Sequence, residues 1–141
     1  MPTRPAVSPA LNARIIHAAL VLGVVLFWAM AWYLGSGSAV PVAALPNRRV
    51  LYIALFLVSG TLFGAAVYTA RRFTPVPQGA SADEWWGRNL PRAILVWALV
   101  EAPTILGTLA YLLTRDFRAL VATFAGLLLF ANYRPSRIAE G

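Results

Sequence analysis

The chain has 141 residues, 60% hydrophobic and only 12% charged, and its formal net charge of +7 is carried by arginine, because lysine does not occur. Soluble domains average about 45–50% apolar and about 25% charged residues, and a chain this short has too little interior to hide the excess; a lipid solvent removes that difficulty. The absence of cysteine excludes disulfides, thiolate metal sites, Fe–S clusters and thiol catalysis.

Residues 1–12 are polar and proline-bearing and read as a disordered tail. Arg14 then opens an apolar run over residues 15–34, which at 1.5 Å per residue spans ~30 Å, the thickness of a hydrocarbon core. Trp28, Trp32 and Tyr33 lie toward its far end, where aromatic side chains favour the membrane interface. The run exceeds the ~7–15 residues of a signal-peptide core, so a retained span is expected.

A Gly/Ser/Pro-rich loop leads to the second run, residues 50–70, bracketed by Arg48-Arg49 and Arg71-Arg72. Ser59, Gly60 and Gly64 offer small surfaces for close helix packing. Residues 73–91 form the longest connection. Its Ser81-x-x-Glu84 fits a capping box, and Trp85-Trp86 reads as an interfacial anchor on a short helix lying on the membrane. Pro91 is placed at a helix start, where its missing N–H does no harm. The third run covers residues 93–113, a tight turn follows at Thr114 to Arg118, and a shorter fourth run covers residues 117–133.

The expected fold is therefore all-α, a four-helix transmembrane bundle in one membrane domain. The first and third spans resemble each other (Ile15 to Val21 against Ile94 to Val100), so a duplicated helical hairpin is one reading. Arg4, Arg14, Arg71, Arg72, Arg88, Arg92, Arg134 and Arg137 flank one side, against Arg48, Arg49, Arg115 and Arg118 on the other. That excess expects both termini in the cytoplasm. Positive charge at the ends of spans answers to lipid headgroups, so the bilayer and not nucleic acid is the expected partner. The lysine-free, Ala/Leu/Arg-rich composition fits a GC-rich bacterial genome and hence a bacterial inner membrane.

Glu101 is the sole acid inside a span, ~12 Å from the start of its run. An ionised carboxylate at such a depth is costly, by ~2.5–3.5 kcal/mol on insertion scales for a comparable Asp. Helical spacing sets Trp97, Thr104 and Thr108 at i−4, i+3 and i+7 on its face, and Pro103 frees the Leu99 carbonyl nearby. Two readings stay open: a protonatable site coupled to a neighbouring helix, or packing glue that bonds Ser59, Thr61 or His17. His17 reads as an interfacial side chain, and Asn132 and Tyr133 as interface hydrogen-bonders. No catalytic set, metal cluster, phosphate loop or cofactor motif occurs, so an enzyme is not expected. The small size and short loops instead suggest an accessory subunit packing against other membrane subunits or itself.

Arg92 to Pro103 contains Ala98-Leu99-Val100-Glu101-Ala102, which resembles the carboxylate-bearing helix of the rotor-ring proteolipid, subunit c of ATP synthases. That resemblance covers about one helix and implies Glu101 as a proton or sodium site. Across the whole chain, Ile15 to Leu20, Ala98 to Pro103, Leu113 to Asp116 and Arg134 to Ser136 resemble an uncharacterised family of small bacterial four-span proteins. That second resemblance implies no activity.

Overall fold

The computed structural model describes residues 8–36 and 47–140. Parts of the expected tail (1–7) and first loop (37–46) lie outside these residues. The described residues form an all-α bundle: α1 (Pro9–Ser36), α2 (Arg48–Ala70), α3 (Ala82–Thr114), a 3-10 turn (Phe117–Ala119), α4 (Leu120–Asn132) and a short α5 (Pro135–Glu140).

Local chemistry sets the boundaries. The Asn47 side chain accepts the Val50 N–H at 3.3 Å to start α2, and the Ser81 hydroxyl accepts the Glu84 N–H at 3.1 Å to start α3. The capping box is half made, because the Glu84 carboxylate takes Arg88 at 2.6 Å instead of turning back to Ser81. At the far end of α3, Arg115 adopts a left-handed φ of 57°, and its N–H closes the last turn on the Tyr111 carbonyl at 2.8 Å.

The helices alternate in direction. At one end the Ala10 N–H donates to Asp83, and at the other the Arg115 guanidinium donates to the Leu34 carbonyl, so α1 and α3 run parallel. α2 and α4 run against them. α3 is the central post: it packs on α1, α2 and α4, while those three touch one another little. The two expected hairpins thus occupy unlike positions, the third helix enclosed and the first peripheral.

Three sequence expectations are corrected. Pro9 to Asn12 are helical, not tail, because the Asp83 carboxylate receives the free N–H of Ala10. Residues 82–91 carry no separate surface helix; they are the first turns of a single 33-residue α3, with Pro91 in its interior. Nor are Trp85 and Trp86 turned out as anchors: they are only 5% and 4% exposed and pack on Phe73 and Trp97. A proline inside a helix costs about 3 kcal/mol. Burying an indole of about 150–250 Å² at about 25 cal/mol per Å² yields roughly 4–6 kcal/mol as an upper bound, so the Trp pair outweighs the proline and carries the helix through it.

α1, α2 and α3 are each long and apolar enough to cross a bilayer. The fourth run differs from expectation. Its first turn is 3-10 and its α-helical part is 13 residues, ~20 Å long at 1.5 Å per residue. Large apolar side chains point outward all round the bundle, Leu57 at 66% and Leu128 at 72% exposure among them. Such a surface is stable against lipid and not against water.

Candidate functional site

Glu101 lies one residue before Ala102 and three after Ala98, both on the outward ridge of α3, and it is itself half-buried. Four residues before it and three and seven after it, Trp97, Thr104 and Thr108 are fully buried. The carboxylate therefore sits on the seam between the apolar outer face and the packed inner face. Among the described residues no group hydrogen-bonds it and no arginine pairs with it; the single ion pair is Arg88–Glu84. The partners expected from sequence are occupied elsewhere or alone. The Thr61 hydroxyl donates to the Leu57 carbonyl of its own helix at 2.8 Å. His17 Nε2 meets the Phe130 carbonyl at 3.1 Å. The Ser59 hydroxyl is buried without a partner. Pro103, two residues on, lies ~200° round the helix, so its gap in the backbone ladder opens away from the acid.

The inner face of α3 builds a threonine–glycine lock with α4 that the sequence reading missed. Thr104-x-x-Gly107 on α3 meets Thr123-x-x-Gly126 on α4 in antiparallel register. A Cβ at Gly107 would stand 2.8 Å from the Thr123 Oγ1 and 2.9 Å from the Ala119 carbonyl, and one at Gly126 would overlap the Thr104 hydroxyl. Each threonine thus fills the space left by the other helix's glycine. Thr108 and Thr123 hydroxyls are 3.0 Å apart, and Thr123 also donates to the Thr104 carbonyl at 3.2 Å. By contrast, Gly60 and Gly64, the sequence's choice for close packing, face outward with nothing within 4 Å of an added Cβ. The repeated Thr-x-x-Gly was the available signal: two small-residue notches at the same spacing on consecutive helices.

A second cluster ties α1 and α4 to α3 near the arginine-rich end. His17 stands edge-on to Trp97 and Phe130, with ring centroids 5.2 and 5.8 Å apart. Trp97 Nε1–H donates to the Tyr133 carbonyl at 2.8 Å, satisfying the C-terminal end of α4. Asn132 accepts from Arg137 at 2.9 Å. Trp97, Thr104 and Thr108 are therefore structural partners of α4, and of the four residues expected to share one polar site only Glu101 keeps its polar atoms unused. Outside the spans, the Asp116 carboxyl is held below its ordinary range chiefly by the Arg118 N–H at 2.9 Å. No group of three His, Asp or Glu side chains able to hold a metal occurs among the described residues.

An all-α bundle with three helices of membrane-crossing length, an apolar outer surface and one unpaired acid on the border of that surface defines an integral membrane protein. Comparison with known protein families, curated proteins and solved structures gives no match.

Proposed function

We propose that this protein is a non-enzymatic accessory subunit that packs beside other membrane subunits, or copies of itself, in a bacterial inner membrane with both termini cytoplasmic. The unpartnered Glu101 carboxylate carries the reading. A carboxylic acid at membrane depth is costly without a hydrogen-bond partner; Thr61, Trp97 and Thr108 spend their donors elsewhere, and the Ser59 hydroxyl, though unpartnered, makes no bond to it. Its position at the edge of the outward ridge suits a donor or acceptor supplied by a neighbouring helix. The breadth of apolar lateral surface supports the same reading, as does the short α4.

Native mass spectrometry of the protein extracted from its own membrane in mild detergent tests this. A stoichiometric complex is expected, weakened by Glu101→Leu and nearly unchanged by Glu101→Gln, which keeps a hydrogen-bonding head. A bare monomer whose stability ignores both substitutions would refute it.

The same exposed edge favours a second reading, a proton-handling proteolipid resembling subunit c, because a carboxyl group on a rotor's outer face must be reachable by its partner. Carbodiimide labelling of Glu101 and loss of proton-linked behaviour in Glu101→Gln, with the fold intact, would select it over packing.

A further inference from the structure

A cavity of about 500 Å³ opens at the arginine-rich end of the bundle, between the C-terminal ends of α2 and α4 and the short α5. Its polar lining is Arg71, Arg137, Asn132, Tyr133 and Glu140, and Phe73 contributes to its apolar wall. The wall is built and held: the Val76 N–H donates to the Ala139 carbonyl at 3.1 Å, pinning α5 to the α2–α3 connection. Arg137 spends one N–H on Asn132, and the Arg71 side chain makes no hydrogen bond among the described residues. Neither arginine pairs with Glu140, although all three line one cavity. A guanidinium has five N–H donors, so both retain donors for a ligand.

The charges decide which ligand. Two guanidinium groups bring two positive charges, Glu140 brings one negative, and two helix C-termini add roughly half a negative charge each. The sum is near zero, and groups of both signs line the one cavity. A simple anion gains little from such a site, whereas a zwitterion satisfies both halves. Its mix of apolar and polar lining, at the C-terminal end of the crossing-length α2, suits headgroup depth.

We propose that this cavity binds a phosphoethanolamine group, with the phosphate on Arg71 and Arg137 and the ammonium toward Glu140 and the helix-end carbonyls. Two sources share that chemistry: a phospholipid headgroup and a soluble phosphoethanolamine ester.

The test is native mass spectrometry of the full chain in detergent, titrated with dioctanoyl phosphatidylethanolamine, dioctanoyl phosphatidylglycerol and soluble phosphoethanolamine. Phosphatidylethanolamine should be retained about fivefold more strongly than phosphatidylglycerol, and the Arg71→Gln/Arg137→Gln double variant should lose it by about tenfold or more, the scale of a lost charge-assisted hydrogen bond. Glu140→Gln should erase the preference for the amine-bearing lipid while leaving phosphatidylglycerol unchanged. Should the double variant lose helix content by circular dichroism, the Glu140→Gln result decides the matter: a preference that survives it overturns the proposal. Competition by soluble phosphoethanolamine assigns the free ester, and its failure to compete assigns the lipid; both support the headgroup chemistry. Equal retention of the two lipids, or undiminished retention of phosphatidylethanolamine in a folded double variant, overturns it.

Discussion

Gly126→Ala should separate α3 from α4. The new methyl group would occupy the position of the Thr104 hydroxyl and come within 3.1 Å of its Cγ2, and Thr104 is fully buried with no free side to rotate into. Overpacking of this kind costs about 1–3 kcal/mol. Pushing the helices apart also strains the Thr108–Thr123 hydrogen bond, a class of contact averaging ~0.6 kcal/mol between membrane helices. Against this, alanine gains about 0.5–1 kcal/mol over glycine as a helix former. The clash outweighs that gain, so the net effect should be destabilisation by roughly 0.6–3 kcal/mol. Gly60→Ala and Gly64→Ala meet open space and keep only the gain in helix propensity, so both should be neutral or stabilising by up to about 1 kcal/mol. Equilibrium unfolding in mixed micelles, followed by circular dichroism, measures all three. Thr104→Ala added to Gly126→Ala should restore part of the loss by removing the overlapped atoms. A Gly126→Ala protein as stable as the parent, or a Gly60→Ala protein as damaged as Gly126→Ala, would refute the lock.

Trp97→Phe keeps the aromatic body and removes the Nε1–H that the Tyr133 carbonyl accepts; a loss of about 1–2 kcal/mol is expected in the same unfolding assay. Asp116 supplies a pH dependence. Its carboxyl is depressed in the folded state, so its contribution is fully present above the unfolded value of about 3.9 and is lost as pH falls through the folded value. Asp116→Ala should therefore differ from the parent at pH 6 and converge with it in strong acid, read as hydrogen exchange at the Arg118 amide. Because Asp116 is only half-buried at the end of the bundle, solvent screening keeps this effect small.

How much was legible in the sequence varies from residue to residue. Ser81 announces its helix start because capping is a contact between near neighbours, and the structure makes that bond; Asn47 and Asp116 cap their helices in the same way, which the sequence reading passed over. Trp85-Trp86 were misplaced because an aromatic pair beside a proline looks the same locally whether it faces lipid or a core; Phe73 and Trp97, folded over it from elsewhere, decide. Gly60 and Gly64 were chosen over Gly107 and Gly126 because a small residue shows that close approach is allowed, not which helix approaches.

By itself the sequence determined that this chain is an all-α membrane protein, since length and hydropathy act along the chain and the bilayer's thickness selects them; it expected four crossing runs, and the structure makes three of them helices of crossing length and the fourth a shorter one. It also singled out Glu101, because an acid in hydrocarbon is conspicuous on energetic grounds alone. Only the tertiary structure decided that α3 is the central post, that α4 locks to it through reciprocal threonines and glycines, that Glu101 is left without a partner, and that the ends of α2, α4 and α5 enclose a charged cavity. Those facts depend on which faces meet, and helices apolar on every side carry little information about rotation and neighbour until packing geometry supplies it.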